Sequence, residues 1–412
     1  MAGLTLENRY AHRLDNLHGS AIRDLLKQAG KENFISLGGG YPAPESFPIG
    51  IIKSIENTVS KKYGPNILQY GSTEGFKPLL DALPIFLSRK NRQVIASPEN
   101  IVITAGSQQA LDIIGRMFIN PGDKIAVESP TYLGAVQAFN LSQAQYVEIK
   151  TDENGIIPEN LEQAFIENPD IKFLYTIPTF QNPTGKTIPL DRRQKIAEIL
   201  KKYNQLAVED DPYSEIRYEG EDVPSLRSMA PENIIHLFTF SKTLAPDFRI
   251  GGMVAPKEIT DKANLIKQGA SLYTSNHDQA MVAEYLTGGY LDQHIPSIIA
   301  LYKPRREAMV RAIEEYFPDI FDFNKPQGGL FVWSALKKEA MERADLYLLN
   351  MKKILEEAIK QNVGFVMGAP FFANSQGNEV AMRLNFSNQS EEKIIEGIRI
   401  IGEILHEKIR MQ

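Results

Sequence analysis

Ile234-Ile235-His236-Leu237-Phe238-Thr239-Phe240-Ser241-Lys242-Thr243-Leu244-Ala245-Pro246-Asp247-Phe248-Arg249-Ile250-Gly251-Gly252 reads as a strand that delivers a lysine into a polar turn. Ile234 to Phe238 form the near-continuous apolar run of a strand covered on both faces. Lys242 then falls just past the strand's C-terminal end, where open α/β sheets bind ligands. Its neighbours suit a phosphorylated aldehyde. A lysine amine that has lost its proton can bond a carbonyl as an imine, and burial beside other positive charge favours that loss. Arg249 can grip a phosphate through two parallel hydrogen bonds, and the hydroxyls of Thr239 and Ser241 can add to them. A lysine on a surface loop is the ordinary alternative, and the strand before it argues against that.

The rest of the composition narrows the chemistry around this lysine. A chain of 412 residues has material for two or three compact units with a large core. Lys+Arg number 45 against 51 Asp+Glu, a net charge of -6 that speaks against nucleic acid or an anionic membrane as partner. There is no cysteine, which excludes disulfides, thiolate catalysis and iron–sulfur clusters. The six histidines, His12, His18, His236, His277, His294 and His406, lack metal-ligand spacing, so no metal is expected and each is assigned to the surface or the edge of the core. No apolar run has the length of a membrane span and residues 1–16 are charged, so the cytoplasm is the expected compartment.

Taken in order, the chain first offers a helix over 21–29, capped by Ser20, with Arg23 in its first turn, where a cation does not help the dipole. Phe34 to Leu37 read as a strand entering Gly38-Gly39-Gly40, where close approach of backbone to a ligand and a flexible hinge are equally good readings. An amphipathic helix follows from Ile49 to about Lys62. Tyr70 sits in the loop Leu68 to Gly75. Ile101 to Thr104 is a strand turning through Gly106 into a helix that opens at Ser107-Gln108, and such a helix start presents free N–H groups to an anion. Strand 124–127 ends near Tyr132, which either packs or offers a stacking platform.

Strands over 145–149 and 171–176 and a helix over 158–166 come next, and then Pro178 to Lys186, with Asn182. Gly185-Lys186-Thr187 is not a phosphate-binding Walker loop, since that motif needs glycine at position 180, where this chain has Phe180. A helix over 191–203 leads to strand 206–209, which ends at Asp210 and Tyr213. From about 100 to 255 the alternation of strand and helix predicts a largely parallel sheet covered on both faces. From about 295 long helices, 296–317 and 344–361, stand among short strands, 329–334 and 380–386, an α+β pattern.

Five strand ends in one sheet thus carry polar residues, which is a site. The motifs SxIR at 20–23, GGxPxPxxFP at 39–48, GSQQ at 106–109, PTY at 130–132, QNPTG at 181–185, EDDPY at 209–213 and SKxxxPxxRIG at 241–251 resemble those of fold-type I pyridoxal-phosphate enzymes. Within them the chain is similar to the class I/II aminotransferases, in the branch of 2-aminoadipate, kynurenine and aromatic aminotransferases, from about Ser20 to Ser387. The resemblance implies an α/β fold with a large domain, 46–294, built on a mostly parallel seven-stranded sheet. A smaller α+β domain would comprise 1–45, with a mobile N-terminal segment, and 295–412.

It also implies pyridoxal 5′-phosphate as cofactor and a role for each residue. Lys242 would hold the cofactor as an imine and move the substrate proton. Asp210 would keep the pyridine nitrogen protonated, so that the ring draws electrons. Asn182 and Tyr213 would hold the ring's phenolic oxygen and Tyr132 would stack on its face. Ser107, Gln108, Thr239, Ser241 and Arg249 would hold the phosphate. Tyr70 would reach the phosphate of a neighbouring subunit, making the active unit a homodimer. On the substrate side, Arg383 would take the α-carboxylate, with Asn182 and Gly40 beside it, and Arg23, with Ser20, would read the side chain. Asp247 stands where relatives often have a small residue, and it should point away from the phosphate.

The expected reaction is ping-pong transfer of an amino group from 2-aminoadipate, an aromatic or a large aliphatic amino acid to 2-oxoglutarate. A β-lyase or decarboxylase on the same scaffold is the alternative. A regulator's effector domain would need a winged-helix domain, and only some 20 residues precede Arg23.

Overall fold

In a computed structural model the described residues are 9–14, 33–341, 349–374 and 380–410. The helix expected over 21–29, with Ser20 and Arg23, lies outside them. Strand β1 (Ile35–Ser36) is the first strand of the described residues and pairs with β12 (Val363–Gly364) in parallel. The large sheet contains β2 (Ile101–Thr104), β3 (Lys124–Ser129), β4 (Gln145–Asp152), β5 (Gly155–Ile156), β6 (Leu174–Thr176), β7 (Ala207–Asp211), β8 (Ile234–Thr239) and β9 (Gly251–Val254). Their order across the sheet is β2-β9-β8-β7-β6-β3-β4-β5.

The sheet therefore has eight strands where seven were expected. The extra one, β5, is two residues long and folds back on β4 through the turn at Glu153-Asn154, too short to leave a pattern in the sequence. Strand β9 is antiparallel to both β8 and β2, whereas β8, β7, β6, β3 and β4 are parallel neighbours. Two reversals cancel, so β2 also runs with the parallel set. The C-terminal ends of β2, β3, β6, β7 and β8 consequently share one edge, and the N-terminal end of β9 joins them there.

Alternation along single strands shows why these runs are apolar throughout. Val127, Val208 and Ile235 face the helices Ser107–Phe118 and Leu133–Asn140, in a cluster with Leu111, Ile114 and Phe139. Their neighbours Ala126, Ala207 and Ile234 face the helices Pro158–Glu167 and Leu190–Lys202, against Leu161, Phe165 and Ile196. Each such large side chain withdrawn from water contributes about 1.5–3 kcal/mol. A period-two strand with one wet face has no place in this sheet.

A four-stranded antiparallel sheet, order β10-β11-β14-β13, is formed by β10 (Phe321–Phe323), β11 (Phe331–Leu336), β14 (Ala381–Asn385) and β13 (Val366–Met367). It packs with two long helices, Tyr290–Tyr316 and Glu391–Arg410, whose apolar residues recur at helical spacing: Ile298, Tyr302, Met309 and Ile313 against Ile394, Ile398, Ile401 and Leu405. Phe180, Tyr213, Ile216 and Tyr218, from loops at the edge of the large sheet where the C-terminal strand ends gather, belong to the same cluster. Among the described residues no helix is long and apolar enough to cross a membrane.

Candidate active site

The aligned strand ends surround a cavity of ≈ 420 Å³. Gly40, Ser107, Gln108, Tyr132, Asn182, Asp210, Tyr213, Thr239, Ser241, Lys242, Arg249 and Arg383 all line it, brought together from 344 residues of sequence by the large sheet, strand β14 and the loop after β1. Tyr41, Ile177 and Phe331, which the sequence had not singled out, complete the wall with Pro212 and Pro246 of the motifs at 209–213 and 241–251.

Lys242 lies in the turn after β8 and its Nζ donates to the Gly40 carbonyl at 2.8 Å. Burial pushes its ammonium down to about 8, and the charges of Arg383 and Arg249 push the same way. The end of the glycine run is thus in contact with the lysine.

Asp210 shows the opposite effect. Burial lifts its carboxyl to about 7 against a hydrogen bond from the Tyr175 hydroxyl, which reaches Oδ2 at 3.0 Å. The other oxygen, Oδ1, is buried and has no protein partner. Tyr175 was missed because it sits inside an apolar strand run, where an aromatic reads as core.

A cup lies at the start of the helix Ser107–Phe118. Gly106 precedes it at φ 75, a conformation open to glycine. A Cβ there would stand 2.7 Å from Nη2 of Arg249, so the glycine also makes room for the guanidinium. That Nη2 donates to the Ala105 carbonyl at 2.8 Å, and Arg249 itself takes φ 51. The Thr239 hydroxyl donates to Ser241 Oγ at 3.0 Å, and the Ser107 hydroxyl is buried with no partner. Gln108 is held through Nε2 on the Gly134 carbonyl at 2.9 Å, beside Tyr132. Free helix N–H groups, three hydroxyls and a guanidinium make an anion cradle.

Arg383 stands in β14 with its side chain fully withdrawn from water, so it does not occupy an exposed strand face. Met382 and Leu384 turn into the apolar cluster instead. Its Nη1 donates to Asn182 Oδ1 at 2.9 Å and its Nη2 to the Gly38 carbonyl at 2.6 Å. The guanidinium carbon lies 4.2 Å from the Phe331 ring centre and 5.0 Å from that of Phe371. Burial lowers its pKa only to about 10, so it stays a cation at neutral pH. Burial raises the Tyr213 phenol above its usual range, which keeps it a donor.

Asp210 Oδ1 and Ser107 Oγ are buried without a hydrogen-bond partner, and both residues line the same cavity as the Lys242 amine and the anion cradle. The residues present therefore fit a phosphorylated pyridine aldehyde.

Other expectations fall outside the cavity. Tyr70 is 76% exposed, and its ring meets Tyr273 edge-on at 5.7 Å. Asp247 is exposed and does not line the cavity. His236 and His294 are buried in the core, contrary to the expectation for histidines. His236 contacts the Glu209 carboxylate at 3.1 Å, and His294 lies between the Ser46 and Thr243 carbonyls at 2.8 and 3.0 Å. Such polar company makes burial of an imidazole tolerable.

Residues 35–401 match the family described as aminotransferase class I and II. The chain is 43% identical to an aromatic-amino-acid aminotransferase from Thermococcus litoralis, covering 99% of this chain and 96% of that one. Its fold superposes on the multiple substrate aminotransferase of Thermococcus profundus with a TM-score of 0.91 at 40% identity, covering 99% of this chain and 100% of that one. Against a kynurenine aminotransferase of Pyrococcus horikoshii, solved in complex with PMP, the TM-score is 0.90 at 42% identity, with 98% of each chain covered.

Proposed function

This chain belongs to the class I and II aminotransferases, and from that premise we propose that it moves the amino group of an aromatic or other large α-amino acid to 2-oxoglutarate, using pyridoxal 5′-phosphate, in two half-reactions. The observation that carries the reading is one cavity holding a half-buried lysine amine, a buried carboxylate oxygen without a partner and an anion cradle. When bound, the cofactor supplies an electron sink for charge left at the substrate's Cα.

The chain's own residues do the rest. Lys242 would hold the cofactor and, as a neutral amine, would move the proton from the substrate's Cα to the cofactor's C4′. Asp210 holds a proton on the ring nitrogen. Asn182 and Tyr213 donate toward the phenolic oxygen, and Tyr132 covers the ring face. Ser107, Gln108, Thr239, Ser241 and Arg249 hold the phosphate, and Tyr70 adds to it from the partner of a homodimer. Residues 46–294 form the cofactor-bearing unit, and 1–45 with 295–412 form the smaller one.

The donor is oriented by Arg383, whose fixed fork suits an α-carboxylate. Among the described residues the cations lining the cavity are Lys242, Arg249 and Arg383, and each already has its task. The wall left for a substrate side chain is Tyr41, Ile177, Pro212, Pro246 and Phe331, which suits an aromatic or aliphatic group. A distal carboxylate, as in 2-aminoadipate, would draw its cation from Arg23, with Ser20 beside it.

A panel of amino acids assayed with and without 2-oxoglutarate tests this. Turnover that needs the 2-oxo acid and is fastest for phenylalanine, tyrosine or kynurenine is expected. Turnover without a 2-oxo acid would make the protein a lyase or decarboxylase. Arg23→Ala should depress activity toward 2-aminoadipate more than toward phenylalanine, and equal losses would remove its role in reading distal charge.

A further inference from the structure

We propose that Tyr175 is a positioning residue for the cofactor: its hydroxyl pins one oxygen of Asp210 so that the other is presented to the ring nitrogen. The inference rests on the reading above, in which Asp210 pairs with that nitrogen, and adds a residue to it.

The geometry is that of two adjacent parallel strands. Tyr175 pairs with Val208 in β7, so its side chain, aimed toward the active edge, reaches two residues along to Asp210. The hydroxyl donates to Oδ2 at 3.0 Å, and Tyr175 and Asp210 are 0% and 2% exposed. The ring has no freedom to withdraw. It packs edge-on against Phe139, centroids 5.8 Å apart, within the cluster that also holds Val127, Val208 and Leu237.

Three consequences follow. A carboxylate at a cavity wall can rotate about its last torsion and offer either oxygen. The Tyr175 hydroxyl on Oδ2 favours one rotation, Ser107 also stabilises the charged carboxyl, and Oδ1, which makes no hydrogen bond to protein, is left for the ring nitrogen. The bond is also made to the charged form of Asp210, so it opposes the burial that would neutralise this carboxyl. Burial drives the phenol's own pKa up, so Tyr175 remains a donor wherever the enzyme works. Removing the hydroxyl would leave a buried carboxylate oxygen unpaired, and the carboxyl would answer by taking up a proton and ceasing to favour a protonated ring.

The experiment compares wild type, Tyr175→Phe, Asp210→Asn and the double variant for binding of two probes to the apoenzyme. One probe is pyridoxal phosphate; the other is its 1-deaza analogue, which has a carbon in place of the ring nitrogen. Tyr175→Phe should weaken pyridoxal phosphate by roughly tenfold or more, in line with loss of a hydrogen bond to a charged group, and leave the deaza analogue unchanged. Because Tyr175 acts through Asp210, the double variant should bind no worse than Asp210→Asn alone. It also removes the unpaired buried charge, so it reports even if Tyr175→Phe does not fold.

Equal weakening of both probes would reduce Tyr175 to a packing residue and overturn the proposal, as would additive losses in the double variant. Wild-type affinity in Tyr175→Phe with impaired Asp210→Asn would reject Tyr175 alone. Wild-type affinity in Asp210→Asn would reject the underlying pairing of Asp210 with the ring.

Discussion

Lys242 and Arg383 are the two residues whose environment makes the sharpest demands. Lys242 is lowered to about 8 by burial and by the neighbouring arginines, against an ordinary lysine value near 10.4. Its reactive form is the neutral amine, whose share grows as pH rises through the folded value. Uptake of pyridoxal phosphate by the apoenzyme should therefore accelerate about tenfold per pH unit below 8 and level off above it. Stopped-flow absorbance would follow this, and a rate still climbing at pH 10 would show that the lysine is not perturbed. Lys242→Ala should lack the pH-dependent absorbance band of the lysine-bound cofactor altogether. Arg383 has both its terminal nitrogens committed in a fork, to Asn182 and Gly38, between two aromatic rings. Lysine offers a point charge instead. Arg383→Lys should lower kcat/KM for amino donors by about a hundredfold, with the loss mainly in KM, while cofactor absorbance stays normal.

At the scale of elements, the site depends on how closely β9 can approach the turn that starts the helix Ser107–Phe118. A Cβ on Gly251 would lie 3.0 Å from Gly106 Cα and 2.6 Å from the Phe238 carbonyl, so this crossing tolerates no side chain. Gly106→Ala adds the clash with Arg249 to a positive φ. The variant should fold with a loss of about 1–3 kcal/mol and bind inorganic phosphate and cofactor at least about tenfold more weakly. Isothermal titration of the apoenzyme would decide it, and unchanged phosphate affinity would remove the cup from the phosphate site. Much of this arrangement was legible. Strand ends that run from apolar residues into Ser107, Asn182, Asp210 and Lys242 announce themselves, because polar residues at the mouth of a buried strand need a reason to be there. Tyr175 did not, since its hydroxyl is polar only to a neighbour on another strand. Strand β5 left no trace because two residues carry no period. The burial of His236 depended on Glu209, which meets it only once β7 and β8 pair.

The whole molecule backs the site with charge that no local pattern reveals. Glu209, Asp210 and Asp211 are consecutive in β7, and the two that flank Asp210 find cations from distant parts of the chain. Arg92 lies 2.7 Å from Asp211, also pairs with Glu215, and covers the Phe86 ring at 4.4 Å. Glu209 resists burial through His236 and then Arg193, which together hold it down at about 2. Replacing Arg92 by methionine strands two buried carboxylates, which should cost about 3–5 kcal/mol in thermal or urea unfolding. A wild-type transition in Arg92→Met would show the cluster to be dispensable. The last element of the assembly is Tyr70. It is 76% exposed and absent from its own chain's cavity, although the site proposed here gives it a phosphate contact. The proposed contact would then be made in the cavity of a second copy. Tyr70→Ala and Lys242→Ala should each be nearly inactive alone. Mixed and allowed to exchange subunits, they should regain activity, because a hybrid dimer then holds one site with Lys242 from one chain and Tyr70 from the other. Random re-pairing of equal amounts gives about a quarter of wild-type activity at most, since half the dimers are hybrids with one intact site each. No recovery, with hybrids verified by native mass spectrometry, would place Tyr70 outside the partner's site.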